Sequence, residues 1–454
     1  MVTEKNSWRI SGLVCQSGLV CLSFCLIVLQ LSAAPVRPPS TGAIAIVGGQ
    51  LIDGHGSTPV HRSVVIIEGS RIKTVGREGE IAIPAGAKVI DAHGMTVMPG
   101  LIEMHAHLVL LGEGTPYDNW IWGNKWEGGD RTLEFMRIAA REFLMNGVTT
   151  VRDVGGDTKI SVSFRDAIKE GKEVGPRLFV TGAFIARNCA YANPTFCTQI
   201  KSPEEAAEAA RQRLAAGVDW VKSWIGMQPA DIRAVAEVAH QAGKHVALHW
   251  VGSDVQDYGL DSGDTLEHWQ ALTPQVLDNI AKTGAWVVPT LMQSWVYELT
   301  EEFPERVDEE QFKKDYPPDL YAMMHDPSVN FQRLDYFAGI YPRLHVQAET
   351  MHAMVNSRFA GRLLVGTDAG TALNFNTNTT RGEMALFTKW GMSPLDTISA
   401  ATRLSAQALG KSAEFGTIDP GKFADIIVVD GDPLENMGDL KNVVHVFKEG
   451  TQYK

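Results

Sequence analysis

The sequence predicts an α/β protein: a (β/α)8 TIM barrel with a small β-sandwich domain assembled from both chain ends. Strand-like apolar runs alternate with helical stretches through the middle of the 454-residue chain, as in a parallel sheet covered by helices. Both ends instead carry short β-branched runs separated by glycine-containing turns, which is the pattern of hairpins. We therefore expect the barrel at residues 99–412 and the sandwich at 41–98 and 413–454.

Residues 1–34 resemble a secretory signal. Lys5 and Arg9 precede an uncharged stretch that contains GLVCLSFCLIVLQL and ends in small residues. Pro35 disfavours cleavage, and about 20 apolar residues span a bilayer, so the segment is either a cleaved signal peptide or an N-terminal membrane anchor. We expect an exported protein, periplasmic or secreted.

The predicted barrel contains eight strand-like runs. Helical stretches such as SPEEAAEAARQRLAAG and ADIRAVAEVAHQAG lie between several of them, with apolar residues at three- and four-residue spacing. Ser202 is placed to cap the first of these helices, and Gly217 is placed to end it. The strand-like runs are PGLIEMHAHL, GVTTVRDVGG, GPRLFVTG, GVDWVKSW, KHVALHW, DTLEHW, GAWVVPTL and GRLLVGTDAG.

Two insertions follow predicted strand ends, where barrel enzymes build their active sites. Residues 109–127 are rich in tryptophan, including Trp122, and residues 293–345 are rich in aromatic and charged side chains. They are either a substrate wall and a lid, or segments whose tryptophans pack a small core of their own.

Cys189 and Cys197 are the two cysteines outside the N-terminal segment. In an exported protein this pair would close a short loop as a disulfide, whereas two free buried thiols would fit a cytosolic location better. No histidine lies near them in the sequence to activate a catalytic thiol.

Residues that can bind a metal ion follow several predicted strands. The side chains of His105 and His107 point to the same side of a strand, and strand ends of a parallel barrel converge on one mouth. Each residue alone has another explanation: His268 as a hydrogen-bonded core histidine, Lys222 as a surface lysine, Asp368 as a turn residue. Their joint placement favours a metal site. The candidate ligands are His105, His107, Lys222, His249, His268 and Asp368.

At these positions the sequence resembles the amidohydrolase superfamily, from about residue 44 to the C-terminus. It is most similar to the imidazolonepropionase-like subgroup, which contains metal-dependent dipeptidases cleaving before proline, arginine or lysine. The resemblance implies a barrel with a β-sandwich built from both ends. The segments that carry it are VMPGLIEMHAHL, GVDWVKSW, HVALHW, DTLEHW, LLVGTDAG and the tail from GMSPLDTISAATRL to GTIDPGKFADIIVVDGDP.

The resemblance also implies a cofactor of two divalent metal ions, usually zinc. Lys222 would bridge them as a carboxylated lysine, because an ammonium group cannot bind a cation. Asp368 would act as general base and then general acid around a metal-bridging hydroxide. His105 and His107 would hold the more buried ion, and His249 and His268 the outer one. Glu267, beside His268, is assigned a structural role.

The expected activity is hydrolysis of the amide C–N bond of a dipeptide or N-acyl amino acid. Hydrolysis of a cyclic amide, lactone or related ester on the same centre is the alternative. Lys222 argues against a single-metal deaminase, and the full ligand set argues against a non-catalytic binding protein. With a net charge of −12 we expect a small-molecule substrate and no nucleic acid, and we expect a homo-oligomer.

The region after the third strand departs from the dipeptidase pattern. Those enzymes typically have a Gly-Gly-His-Gly type loop there, whereas this chain reads VTGAFIARNCAYANPTFC without a histidine. Cleavage before proline or arginine is therefore not implied. Arg187 is a candidate contact for a substrate carboxylate, and Trp122, Trp250 and Trp269 are candidate contacts for a bulky apolar or aromatic group.

Overall fold

The computed structural model describes residues 42–112, 129–189, 195–249, 258–268, 280–302, 310–324, 344–357, 359–371 and 373–454. The predicted signal at 1–34 and the candidate contacts Trp122, Trp250 and Trp269 lie outside these ranges. Within them, no helix combines the length and apolar character that a membrane span requires.

Strands from both chain ends pair within one five-stranded sheet. Its order is β18-β17-β16-β6-β2, and β16 pairs antiparallel with β6, so that Val428 lies opposite Val97. A hydrophobic strand near the beginning of the described chain is therefore completed by one near its end. The strands are β2 (Gln50–Leu51), β6 (Thr96–Pro99), β16 (Ile426–Val429), β17 (Val443–Lys448) and β18 (Thr451–Gln452).

A four-stranded sheet of order β4-β3-β1-β5 accompanies it, with β3 and β4 joined as the hairpin that the sequence predicts. Ile46 and Val65 from this sheet share an apolar cluster with Val97 and Val428 from the five-stranded sheet. Arrangement of the two sheets as a sandwich domain stays a prediction. The strands are β1 (Ile44–Val47), β3 (Ser63–Glu68), β4 (Arg71–Arg77) and β5 (Lys88–Asp91).

The middle of the chain forms parallel sheets, as an α/β fold requires. One has the order β7-β8-β9 and the other β11-β10-β12-β13-β14-β15. Seven of the predicted strand segments form strands here, and β10 with β11 is a short parallel pair inside the predicted third loop. The strands are β7 (Leu101–Ala106), β8 (Val148–Asp153), β9 (Arg177–Val180), β10 (Phe184–Ala186), β11 (Cys197–Gln199), β12 (Trp220–Ser223), β13 (His245–His249), β14 (Thr265–Glu267) and β15 (Trp286–Val288).

The predicted eighth strand, GRLLVGTDAG, is an irregular segment with isolated bridges rather than a regular strand. It lies between β15 and β7, because Leu364 N–H donates to the Val287 carbonyl and Met104 N–H donates to the Val365 carbonyl. The backbone then turns into the left-handed region at Asp368, with φ of +59°, which ends the extended conformation. Closure of the parallel sheets into one barrel stays a prediction.

Helices cover the parallel strands. The helix predicted after Ser202 begins at Pro203 and ends at Ala215; Ser202 Oγ accepts the Glu205 N–H, and Gly217 follows with φ of +90°. The helices are α1 (Gly129–Met145), α2 (Thr158–Lys169), α3 (Pro203–Ala215), α4 (Pro229–Gln241), α5 (Met292–Glu302), α6 (Glu310–Asp315), α7 (Pro318–Met324), α8 (Leu344–Val355), α9 (Thr379–Lys389), α10 (Pro394–Ala400) and α11 (Arg403–Ala408).

Candidate metal centre

The six predicted ligands come together at the carboxyl ends of the parallel strands. We call them the strand-end cluster. The parallel alignment of these strands brings together side chains that are far apart in sequence. The members are His105 at the end of β7, His107 just beyond it, Lys222 in β12, His249 at the end of β13, His268 after β14 and Asp368.

Asp368 faces the two histidines of the HxH pair. Its Oδ1 lies 3.0 Å from His107 Nε2 and 3.4 Å from His105 Nε2. One nitrogen or oxygen from each of the three side chains lies within 4.8 Å of the others, a spacing at which a single ion can bind all three. The separation of two residues in the sequence thus puts both imidazoles on one side of the site.

His249 and His268 complete the other side. Their ring centroids are 4.5 Å apart, and the ring of His268 is also 4.5 Å from that of His105. His268 Nδ1 shares a hydrogen bond with Thr290 Oγ1 at 2.9 Å and lies 3.9 Å from Asp368 Oδ2. His268 has φ of +55°, a conformation that costs a non-glycine residue about 1–3 kcal/mol and is found disproportionately at functional sites.

Three buried nitrogen atoms of this cluster have no hydrogen-bond partner among the described residues. They are His105 Nε2, Lys222 Nζ and His249 Nδ1. A buried polar atom without a partner is costly, and native proteins rarely keep one without a ligand, an ion or water. The imidazole and carboxylate donors around them suit zinc. The residues therefore fit the divalent metal that the family resemblance implies.

The electrostatics keep the imidazoles and the carboxylate in their metal-binding forms. Burial lowers the pKa of His249 to about 3 and the pKa of His268 well below its usual value. Burial acts to raise the pKa of Asp368, but His268, His105 and His107 together hold it well below the usual value. Neutral imidazoles and an ionised carboxylate are the species that coordinate a cation.

Lys222 is also affected by its surroundings. Its side chain is 1% exposed, and burial lowers the pKa of its ammonium group to about 8, although the charges of Glu267 and Asp368 oppose the shift. Because a lower pKa leaves a larger fraction of the amine neutral at pH 7, Lys222 is a better nucleophile than a surface lysine.

A buried ion pair orients His105. Glu267 Oε2 accepts a hydrogen bond from His105 Nδ1 at 2.5 Å, while Glu267 Oε1 accepts one from Arg152 Nη2 at 2.6 Å. With Nδ1 bonded to a carboxylate, Nε2 carries the free lone pair and faces the cluster. This is the structural function of Glu267. Nothing in the run VTTVRD distinguishes Arg152 from an ordinary strand residue, so sequence reasoning missed it.

A second carboxylate holds the backbone on which His105 and Asp368 depend. Glu103 Oε1 accepts the N–H groups of His105 and Thr367, each at 2.9 Å, and Glu103 Oε2 accepts the Thr380 hydroxyl. Burial raises the pKa of Glu103 to about 8 despite these donors. Sequence reasoning missed Glu103; its signal is a charged residue inside the apolar run LIEMHA.

The start of α5 reaches the same site. Gln293 Nε2 donates to Asp368 Oδ2, whereas the HxH pair faces Oδ1. Glu383 in α9 positions this segment by accepting the N–H groups of Leu291 and Met292, at 2.9 and 2.7 Å. The carboxylate of Asp368 is therefore fixed from both sides.

The predicted substrate contact Arg187 is engaged elsewhere. Its Nε and Nη2 pair with the buried carboxylate of Asp231 at 2.6 and 2.9 Å, and Nη1 donates to the Lys201 carbonyl. Two aromatic residues that sequence reasoning did not single out lie beside the cluster instead. Phe184 and Trp224 stack with centroids 4.9 Å apart, next to His107 and His249 respectively.

Cys189 and Cys197 form a disulfide in this structure, with Cα atoms 5.9 Å apart. Cys197 belongs to the apolar cluster that contains Phe184 and Trp224, and Cys189 packs against that cluster. The disulfide therefore packs together with the aromatic pair.

Residues 96–452 match the amidohydrolase family. The chain belongs to this family. A 5-methylthioadenosine/S-adenosylhomocysteine deaminase from Moorella thermoacetica is 25% identical over 410 residues, 82% of each chain. An imidazolonepropionase from Pseudomonas savastanoi pv. phaseolicola is 24% identical over 84% of this chain and 90% of its own. The crystal structure of a Xaa-Pro dipeptidase with bound methionine in the active site superposes with a TM-score of 0.73 at 24% identity, over 91% of this chain and 100% of that one.

As an amidohydrolase, the chain is a hydrolase acting on carbon–nitrogen bonds, and its α/β fold is that of the TIM-barrel enzymes of this superfamily. The family is metal-dependent, which agrees with the close grouping of His105, His107 and Asp368. The resemblance to the imidazolonepropionase-like subgroup is confirmed.

Proposed function

We propose that this amidohydrolase hydrolyses the amide bond of a dipeptide or N-acyl amino acid with two divalent metal ions, most simply zinc. The observation that supports this proposal is the position of the partnerless Lys222 Nζ in the strand-end cluster. A lone ammonium group there would repel a metal ion, so Lys222 can take part in metal binding only if its charge is changed.

Carboxylation of Lys222 supplies that change. Carbon dioxide adds to the neutral amine with loss of a proton, and the product is an anion with two oxygen atoms in place of a cation. Burial, which lowers the pKa of Lys222 to about 8, favours the neutral amine that this addition requires. His105 and His107 would then hold one ion with Asp368, and His249 and His268 the other.

The metal pair, when bound, lowers the pKa of a water molecule and polarises the scissile carbonyl. Asp368 has the position to accept a proton from the attacking water, since its Oδ1 faces the histidines. It then donates that proton to the leaving nitrogen, without which the amine leaves poorly. Gln293, bonded to the other oxygen of Asp368, keeps the carboxylate oriented through both transfers.

The stacked pair of Phe184 and Trp224 favours a substrate with a bulky apolar or aromatic group. Such a group packs against the rings while its amide carbonyl lies at the strand-end cluster. We include N-acyl amino acids because this wall imposes no requirement for a free amino group. Export, an N-terminal anchor and self-association stay predictions from the sequence.

A second candidate is deamination, which the 25% identical deaminase relative favours. Lys222 is the residue that distinguishes the two proposals, because a single-metal site has no need of a bridging anion. The two proposals therefore differ in metal content as well as in product.

The test is metal content and product formation for the wild type, Asp368→Asn and Lys222→Ala. We expect about two ions per chain in the strand-end cluster of the wild type, and turnover of N-acyl amino acids or dipeptides to two products. Asp368→Asn should retain most metal and lose turnover by about 10²–10⁴-fold, because proton transfer is lost. Lys222→Ala should lose the metal ions of the strand-end cluster and the turnover. Millimolar acetate or formate should partly restore metal binding and turnover.

Ammonia release with one ion in the strand-end cluster would overturn the amide-hydrolase proposal in favour of the deaminase. Full activity of Asp368→Asn would refute its role in proton transfer. Unchanged metal content in Lys222→Ala would refute the bridge.

A further inference from the structure

A second group of potential ligands lies at the opposite ends of the same strands. We call it the lower cluster. Its histidines come from the last turn of α4 and the first position of β13, and its carboxylates come from the segment just before β14. Its members are His240, His245, Asp261 and Asp264.

The lower cluster is separate from the strand-end cluster. His245 begins β13 and His249 ends it, and a strand rises about 3.3 Å per residue, so the two clusters lie about 13 Å apart along this strand. In TIM-barrel enzymes the amino ends of the strands contribute to stability rather than catalysis. A site here would therefore be structural.

One candidate ligand atom from each of the four side chains lies within 4.8 Å of the others. His240 Nε2 lies 2.9 Å from Asp264 Oδ2 and 3.6 Å from Asp261 Oδ2. His245 Nδ1 lies 3.9 Å from Asp261 Oδ1 and 4.0 Å from Asp264 Oδ1. Tetrahedral zinc with bonds of about 2.0–2.1 Å separates its ligand atoms by about 3.3 Å, so only small side-chain movements are needed.

His240 Nε2 shares a hydrogen bond with Asp264 Oδ2, but two further features favour a metal site. His245 Nδ1 is buried and has no hydrogen-bond partner among the described residues. The carboxylates of Asp261 and Asp264 have, in the described part of the chain, these two histidines as their only ionic partners. With both imidazoles bound through a lone pair, the two carboxylates would supply two negative charges, which one divalent cation balances.

The surroundings hold the ligands in place as the second shell of a metal site does. Asp264 Oδ1 accepts the Val246 N–H at 2.7 Å, and Oδ2 accepts the Asp261 N–H at 2.8 Å. Oδ2 also shares a hydrogen bond with His240 Nε2 at 2.9 Å, which a metal ion between the two atoms would replace. Residue 263 is glycine, and any side chain there would collide with the ring of His245. His240 lies at the carboxyl end of α4, where the helix dipole favours a cation.

We propose that the lower cluster binds one structural zinc ion that joins α4, β13 and the segment before β14. Imidazole ligands favour zinc over magnesium or calcium, which prefer oxygen alone. This inference does not depend on the substrate or on the number of ions in the strand-end cluster.

The test compares zinc content and affinity in the wild type and His245→Gln after dialysis against micromolar zinc. We expect the variant to bind one zinc fewer per chain and to keep the hydrolytic activity of the wild type. Asp261→Asn, which changes an exposed carboxylate, should weaken binding of that ion about tenfold or more while the protein folds normally.

His93→Gln is the matched control. His93 also contacts two carboxylates, Asp91 at 2.6 Å and Glu78 at 3.0 Å, but through opposite ring nitrogens that cannot reach one ion. Its zinc content should equal that of the wild type.

Equal zinc content and affinity in the wild type, Asp261→Asn and His93→Gln would overturn the proposal and leave the lower cluster as a hydrogen-bonded link. Should His245→Gln fail to fold, Asp261→Asn decides alone. Loss of activity in His245→Gln at unchanged zinc content would also contradict the proposal.

Discussion

The ion pair of Arg152 and Glu267 shows how much of the site depends on side chains that never touch substrate. Both side chains are fully buried, and Arg152 also contacts the Met104 carbonyl and the Thr265 hydroxyl. Burying two charges is costly, so the pair adds little net stability, but removal of one partner leaves the other uncompensated. We infer that the pair is kept for the orientation it gives His105.

Glu267→Gln should therefore impair both folding and metal binding. Loss of the Glu267 carboxylate leaves the buried guanidinium of Arg152 without a counter-ion. This should lower the free energy of unfolding by about 3–5 kcal/mol. Loss of the carboxylate beside His105 should weaken metal binding about 10–100-fold. Denaturant unfolding and metal titration measure the two effects.

Glu208→Gln on α3 is the control, because the ion pair of Glu208 with Arg211 is more than half exposed and should contribute little to stability. Wild-type metal affinity in Glu267→Gln would contradict the orienting role.

Sequence reasoning predicted the members of the strand-end cluster and a structural role for Glu267, but it missed the supports Glu103 and Arg152, and the reason is physical. His105 and His107 stand out because two imidazoles at a strand end are rare and chemically specific. Glu103 and Arg152 are single charged residues in apolar strands, and their partners Thr367, Thr380 and Glu267 lie far away in sequence. Only the folded chain brings such pairs together.

At the level of secondary structure, local signals predicted the boundaries of α3. Ser202 caps its first turn, and Gly217 adopts φ of +90° just after its end. A Cβ at Gly217 would meet only Val162 at an ordinary 3.8 Å, so backbone conformation, not space, requires glycine there.

Gly217→Ala should reduce the free energy of unfolding by about 1–2 kcal/mol, because an L-residue is strained in the left-handed region. Gly361→Ala is the matched control: a Cβ there also has open space around it, but its φ is not positive. That change should be neutral or stabilise by up to about 1 kcal/mol. Urea unfolding of both variants measures the difference, and equal effects would rule out the conformational explanation.

Other elements carried no local signal. The pair of β10 and β11 lies where the sequence predicts a loop. Each strand has only three residues, which is too short to show an alternating pattern. The predicted eighth strand fails to become regular because its last residues adopt the left-handed conformation that positions Asp368. The backbone conformation of this predicted site residue overrides the strand pattern.

At the scale of the whole molecule, charged side chains link the five-stranded sheet to the parallel strands through ion pairs and a hydrogen bond. Arg177 in β9 pairs with Asp425 and Glu449, each at 2.6 Å. Lys448 in β17 donates to the Gly175 carbonyl at 2.7 Å and is 6% exposed. The alternating apolar pattern predicted the strands, but not these contacts between them.

Burial lowers the pKa of Lys448 from 10.5 to about 8. Between pH 8 and 10.5 the unfolded chain thus holds a proton that the folded chain has lost, so this lysine makes stability rise with pH through that window. Below pH 8 both states are protonated and folding bears the full cost of the buried charge, on the order of 3 kcal/mol.

Lys448→Met should therefore be more stable than the wild type at pH 7 by about 1–3 kcal/mol, and the gap should close towards pH 10.5. Urea unfolding across this range measures both curves. A gap that is constant or widens with pH would contradict the assignment.

The pairing of β6 with β16 has a consequence for biosynthesis. Val97 leaves the ribosome long before Val428 exists, and at about 5–20 residues per second the delay is some tens of seconds. For that time an apolar strand edge lacks its neighbour and is open to association with other nascent chains. The yield of folded protein should thus increase more with slower translation initiation or added chaperone than with any substitution near the strand-end cluster.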